Sequence, residues 1–396
     1  MIYVFIAVEL RFNEDCPSIK VITFIGTKNM RIKINPNILL FAGPISLWFL
    51  LAGVSFSSQA AGELVHPGSG TTSAQHRLPQ NAIDTEQIPE TVLHPSDSAQ
   101  DVLPVYALSQ DSYFLFGNIA QINDKNRGFN GNAGFVVTAK GVVVIDSLGT
   151  PLLGRRLIST IRSVTDQPIK YLIVTHNHPD HAYGAIAFRD IPKINIIMHE
   201  GVNRYVNSEE FVRSVDYRKQ LLPGDMQGFA MPEPDVLIDG ERFTHKTIII
   251  GGKTFAIYNV GQHHSYGDLI VHQVEDGIVW ISDLAFNQRV TYMGDGHSKQ
   301  ILEAESWLLD NFANAKLMVP GHGSAQTPPF PMVTKTKAYV TELRDKMKTM
   351  VENGVSLLDA VNNADMPAWK NVPLYEPNHR ANANFVYREM EQEYFQ

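Results

Sequence analysis

The chain has 396 residues, too many for one small domain and too few for three, and its 44% apolar and 10% aromatic residues can bury a sizeable core. With 19% charged residues, 28 Gly and 22 Pro, it falls outside the compositions of wholly disordered, collagenous and low-complexity chains. A formal net charge of -8 leaves no chain-wide basic excess to neutralise phosphates, which excludes nucleic acid as an expected partner. The single cysteine, Cys16, cannot form an internal disulfide and lies in a stretch expected to be removed as a leader, so with no other Cys thiolate chemistry and Cys-type zinc fingers are excluded. Any metal falls to the 14 His and the carboxylates.

Ile38 to Phe56 is an almost unbroken apolar run, preceded by Met30, Arg31 and Lys33 and followed by Ser58, Gln59, Ala60 and Ala61. Basic, then apolar, then small residues predict a secretory leader over residues 1–60, with the true start at Met30. The alternative is an uncleaved anchor, because the run approaches spanning length. The expected location is periplasmic or secreted, without stable membrane insertion unless the leader is retained. Removing the net +2 of residues 1–60 leaves about -10 on the exported part. Residues 61–104, rich in Ser, Thr, Gln, Pro and His without apolar period, read as a flexible tether or lid.

Strand signals become strong at Gly134 to Thr138 and Gly141 to Asp146, a hairpin turning at Ala139 and Lys140. Leu153, Leu157, Ile158 and Ile161 then recur at helical spacing, with Pro151 suited to the first turn. Tyr171 to Thr175 is a buried strand, and later apolar runs such as DLIVH, GIVWIS and KLMVP are short and β-rich. Gln300 to Asn311 reads as a helix among them. Strands interleaved with helices predict a layered α/β or α+β domain over 105–330. Residues 331–396 form a helical C-terminal extension: Thr334 to Glu352 with one apolar face, a second helix capped by Ser356, and a third from Ala381 to Phe395.

The chemistry concentrates in Thr175-His176-Asn177-His178-Pro179-Asp180-His181, which puts four potential ligands directly after a strand. There a rigid backbone can project side chains into a cleft. A single His beside a strand is more often structural, but four potential ligands at H-x-H-x-D-H spacing point to a metal cradle. This pattern resembles the signature of the metallo-β-lactamase superfamily, and the family's remaining motifs follow in order. GQHHSYGD matches its His-Ser/Thr-x-Gly motif and selects His264 over His263, WISDLAF supplies Asp283, and VPGHG supplies His322. Asp146 fits the acidic residue that the family places after its early hairpin, as support behind the ligands.

The resemblance implies an α+β fold, a four-layer αβ/βα sandwich with two zinc ions at one edge. His176, His178 and His264 would hold the first ion and Asp180, His181 and His322 the second, with Asp283 bridging and Asp180 also catalytic. Zinc accepts such nitrogen and oxygen donors, and two ions ~3.5–4 Å apart can share a hydroxide that attacks a carbonyl. A zinc-dependent hydrolase of a small-molecule ester, lactone, thioester or amide is thus implied. The Cys-ligand β-lactamases are a poorer match because position 283 is Asp, which leaves β-lactam hydrolysis as an alternative. A second alternative is an iron-dependent oxidoreductase of the same fold. Beyond the ligands, TPPFPMV and NANFVYREMEQEYF are similar to exported zinc metallohydrolases found with quinoprotein dehydrogenase systems. His66, His76 and His94 lie in the tether, and His199, His245, His272, His297 and His379 are expected to be structural or solvent-facing. His263 adjoins a ligand and stays open, while Tyr266, Arg289 and Tyr292 read as packing or surface residues near the cleft.

Overall fold

The computed structural model describes residues 3–11, 18–26, 83–85 and 90–396. The chain divides into two units, residues 1–65 and 66–396. In the first, β1 (Tyr3–Arg11) and β2 (Ser18–Gly26) pair antiparallel, with Tyr3 opposite Gly26 and Arg11 opposite Ser18. The expected leader segment over 30–60 lies outside the described residues. Among the described residues, no helix is long and apolar enough to cross a membrane.

In the second unit, β3 (Tyr106–Ala107), β4 (Ser112–Leu115), β5 (Ala133–Thr138) and β6 (Gly141–Ile145) run antiparallel in sequence order. Helix α1 (Pro151–Val164) crosses over to β7 (Ile169–Ile173), which pairs parallel with β6. After the short turn α2 (Pro179–Ala182) come β8 (Asn195–His199), α3 (Val202–Tyr205) and α4 (Glu209–Leu221), and β9 (Val236–Ile238) completes a seven-stranded sheet. The second sheet takes β10 (His245–Ile250), β11 (Lys253–Gly261), β12 (Asp268–Gln273) and β13 (Ile278–Ser282) antiparallel. Helix α5 (Ser298–Phe312) then leads to β14 (Leu317–Pro320), parallel to β13. Helices α6 (Pro331–Glu352), α7 (Leu357–Asn362) and α8 (Tyr375–Phe395) follow.

Period-two alternation assigns each central strand to two cores. Val142 and Val144 of β6 face a cluster that includes Leu153, Leu157 and Ile161 of α1, whereas Val143 and Ile145 face the second sheet. Across that interface Ile278 and Trp280 of β13 point inward, while Val279 and Ile281 pack outward with Ala304 and Leu308 of α5. The result is helix, sheet, sheet, helix, with the C-terminal helices forming a further apolar cluster. The sheets approach closely at Gly134, where a Cβ would lie 2.2 Å from the Trp280 ring, so no larger residue fits there.

Local signals account for the helix ends. Thr150 caps α1 by accepting from the Leu153 N–H with Pro151 in the first turn, and Ser356 caps α7 by accepting from the Asp359 N–H. The last helix begins six residues before its expected start at Ala381. Residues 90–104, expected to be the end of a tether, are instead fastened down. Leu93 and Leu103 are buried in the α1 core, Arg156 binds Asp97 at 2.9 Å, and the Leu103 N–H donates to Thr160 Oγ1 at 2.8 Å. Two well-spaced leucines and a chain of backbone hydrogen bonds suffice to dock a segment that has no apolar period.

Candidate metal centre

Four strand ends converge at one edge of the sandwich. After β7, α2 places Asp180 and His181 in a single helical turn whose N-cap is His178, while Thr175 is pinned by Asp146. Asp146 sits at the end of β6 with φ 61°, a left-handed conformation in which Asp is less strained than most residues. Its Oδ1 accepts from the Thr175 backbone at 2.8 Å, and its Oδ2 accepts from His181 Nδ1 at 2.9 Å, the supporting role foreseen for it. The loop between β11 and β12 is fastened by Asp268, one of whose oxygens accepts the backbone N–H groups of His263, His264 and Ser265 at 2.9, 2.8 and 3.0 Å. Asp283 follows β13 and His322 follows β14. A Cβ on Gly321 would lie 1.9 Å from Asp283 Oδ1, so only glycine lets these two strand ends meet.

All seven expected ligand residues come together, in two groups. His176, His178, His264 and Asp283 form one, and Asp180, His181 and His322 the other, with ligand atoms in each group within 4.8 Å of one another. Asp283 lies between them. Its Oδ2 is 3.1 Å from His264 Nε2 and 3.2 Å from His322 Nε2, and its Oδ1 is 3.4 Å from His181 Nε2.

The donor set fits a divalent cation. His176 Nε2, both ring nitrogens of His264 and Asp283 Oδ1 are buried without a hydrogen-bond partner, a costly arrangement unless another group satisfies them. The remaining ring nitrogens are held from outside. His178 Nε2 donates to Asp295 Oδ2 at 2.9 Å, leaving Nδ1 free, and His322 Nδ1 donates to the Asn130 carbonyl at 2.7 Å, leaving Nε2. Asn130 Nδ2 also donates to Asp180 Oδ2 at 2.8 Å. Such partners orient metal-binding imidazoles.

The carboxylates set the electrostatics. Burial opposes charge on His181, but Asp283, Asp146 and Asp180 outweigh it and push its pKa up to about 10. Burial likewise opposes charge on His178, and the Asp295 hydrogen bond overrides it to about 9. Burial also opposes ionisation of Asp283 and Asp180, yet the neighbouring His322 and His181 charges hold both below the usual carboxylate range. Burial instead lowers the pKa of His176 and His322, and the buried carboxylates among these imidazoles attract a cation of either kind, proton or metal.

His178, Asp180, His264, Asp283 and His322 line a cavity of about 380 Å3, walled also by Glu210 and Tyr217 of α4, Arg289, Tyr292 and Asp295 of the segment after β13, and Leu374 and Pro377 at the start of α8. Arg289 and Tyr292, expected to be packing or surface, therefore face the cleft, with Arg289 Nη1 3.0 Å from His322 Nδ1. Tyr266 instead lies with its hydroxyl 3.5 Å from Glu210 and is not among the cavity-lining residues. His263 is buried, does not line the cavity, and has its pKa lowered to about 3 by that burial. His199 pairs with Asn259, and His379 with Tyr339 and the Ala364 carbonyl. Asn130, Glu210, Tyr217 and Asp295 were not singled out from the sequence. The signal for α4 was present as Ser208 capping Glu209 and Glu210, with Arg218 and Lys219 in the last turn. No local signal marks Asn130 or Asp295.

Two face-to-face sheets with helices on both outer faces, carrying a His/Asp cluster at one edge, define a layered α+β protein with a candidate metal site. Residues 126–322 match the Metallo-beta-lactamase superfamily. One curated relative is metallo-beta-lactamase IND-1 of Chryseobacterium indologenes, 22% identical over 198 residues, spanning 49% of this chain and 72% of that protein. The sec-alkylsulfatase Pisa1 from Pseudomonas sp. superposes with a TM-score of 0.56 at 14% identity, covering 73% of this chain and 50% of that one, which supports the fold alone. A metallo-beta-lactamase from Pontibacter korlensis superposes with a TM-score of 0.48 at 19% identity, over 60% of this chain and 99% of that one.

Proposed function

We propose that this protein is an exported dinuclear zinc hydrolase of a small molecule carrying an ester, lactone, thioester or amide carbonyl. The observation that carries the reading is the meeting of seven His and Asp side chains, several with unsatisfied atoms, at one edge of the sandwich, where His178, Asp180, His264, Asp283 and His322 line one cavity. His176, His178, His264 and Asp283 would hold one ion and Asp180, His181 and His322 the other. Zinc bound there supplies Lewis acidity and a water whose pKa is brought near neutrality.

The chain's own groups supply the rest. Asp146 fixes the His181 tautomer by accepting from Nδ1, and Asp295 does the same for His178 at Nε2. Asp180, held ionised and anchored by Asn130, lines the cavity, where its carboxylate would orient a water by accepting a hydrogen bond from it. The apolar rim at Leu374 and Pro377 limits water around a bound substrate. The sequence likeness to quinoprotein-associated metallohydrolases makes that subfamily our preferred assignment. The relationship to IND-1 favours β-lactam hydrolysis as the second reading.

Elemental analysis of the purified protein should give about two zinc equivalents, with chelation abolishing hydrolysis across a panel of lactone, ester, thioester and β-lactam substrates. One equivalent of iron would refute the hydrolase reading, and efficient β-lactam turnover would select the second. N-terminal sequencing of exported material should find a start near Ala61. An intact chain beginning before Ile38 in the membrane fraction would favour the anchor.

A further inference from the structure

Helix α8 lies outside the matched region 126–322, yet it reaches the cavity. Asn378 Nδ2 donates to the Val290 carbonyl at 3.0 Å. Asn382, one turn further along the same face, accepts from the Met293 N–H at 2.9 Å and donates to the Thr291 carbonyl at 2.8 Å. Just before the helix, the Pro373 carbonyl accepts from the Val290 N–H at 2.9 Å. Both asparagines are buried, at 5% and 0% exposure. Four hydrogen bonds from one short stretch therefore grip residues 290–293, a segment with no secondary structure of its own.

The gripped segment leads directly to a hydrogen bond on one candidate metal ligand. Downstream of the grip, Asp295 Oδ2 accepts from His178 Nε2 at 2.9 Å, and upstream Arg289 lines the cavity. A backbone shift in this segment would move Asp295 away from His178. The same helix places Asn378 in the cavity wall.

We propose that Asn378 and Asn382 are positioning residues of the metal centre: by fixing the backbone of residues 290–293 they hold Asp295 against His178, so that the C-terminal helix is part of the active site. This rests on the dinuclear reading above. The two asparagines touch neither ligand set and act only through the segment they hold.

The test measures zinc affinity of the full chain by competition with a chromophoric chelator, alongside thermal unfolding, for the parent, Asn378→Ala, Asn382→Ala and Tyr387→Phe. Tyr387 is the control because its hydroxyl donates to the Val355 carbonyl at 2.6 Å, a half-buried bond from the same helix that leads to no ligand. The asparagine variants should bind zinc 10–100-fold more weakly, the range seen when partners behind metal ligands are lost. Tyr387→Phe should lose stability and keep parental affinity. If an alanine variant fails to fold, Asn382→Asp, which keeps the acceptor for Met293 and loses the donor to Thr291, should still show weakened zinc binding. Parental affinity in the asparagine variants, or equal weakening in Tyr387→Phe, would overturn the proposal while leaving the metal centre intact. A parent that binds no zinc would refute the metal reading itself.

Discussion

The substitution Asp146→Asn separates the structural and electronic roles of one buried carboxylate. Asp146 Oδ1 accepts from Thr175 N and Oγ1 at 2.8 and 2.9 Å, and Oδ2 accepts from His181 Nδ1 at 2.9 Å. Asparagine has nearly the same shape, tolerates the φ of 61°, and keeps an oxygen for both Thr175 donors, so the backbone entering the H-x-H-x-D-H loop stays in place. Its NH2 now faces His181 Nδ1, where two donors cannot coexist. The imidazole must accept at Nδ1 and carry its proton on Nε2, the nitrogen that lies 3.4 Å from Asp283 and belongs to the second metal group. Losing one hydrogen bond to a charged group should cost about 1.5–3 kcal/mol of stability. Zinc at the second group should weaken by about 10–100-fold. Asp146→Ala should be worse for stability, because it leaves the buried Thr175 N–H unpaired at about 1–3 kcal/mol and places Ala in a left-handed conformation. Thermal unfolding with elemental analysis at controlled free zinc measures both. If Asp146→Asn retained both ions with parental affinity, the tautomer argument and the assignment of His181 Nε2 would be wrong.

Asp283→Ala removes the carboxylate that approaches His264, His322 and His181, so the second ion should weaken by 10-fold or more. Hydrolysis of an activated ester or lactone should fall by about 100-fold or more, the cost of a nucleophile misplaced by ~1 Å. His272→Ala, whose ring packs on Phe312, should leave metal content and turnover near parental, and equal activity in the two variants would refute the dinuclear assignment. Glu305 is fully buried on α5 with both carboxyl oxygens unpartnered, and that burial raises its pKa well above 4.5. The unfolded chain releases this proton at lower pH than the folded one, so stability falls as pH rises above about 4.5, by up to about 1.4 kcal/mol per pH unit, until the folded group ionises. Thermal unfolding of Glu305→Gln across pH 5 to 8 should show this component of the slope removed, and an unchanged slope would refute it.

The candidate ligands were legible because each follows a β-rich run that ends in a short motif. One turn of helix after β7 fixes the mutual placement of His178, Asp180 and His181, and alternation in β6 and β13 announces strands buried on both faces. The helix starts signalled by Pro151 and Ser356 were likewise local, although the Thr150 side chain that caps the first was not read from the sequence.

The residues behind and around the ligands were not legible. Asn130 meets His322 across 192 positions, Asp295 meets His178 across 117, and Asn382 meets Met293 across 89, with no period or spacing linking either member of a pair to the other. The docking of residues 90–104 was hidden for the same reason, since Leu103 finds Thr160 through one hydrogen bond at a distance of 57 residues. By itself the sequence determined which side chains could bind metal and which strands would carry them, because ligand spacing and two-faced burial act over a few residues. Only the tertiary structure decided what surrounds those ligands: which amide or carboxylate holds the outer nitrogen of each imidazole, and that the C-terminal helix walls the cavity. Those contacts are fixed by the stacking of layers, and a chain records such stacking only as scattered polar residues whose partners appear once it has folded.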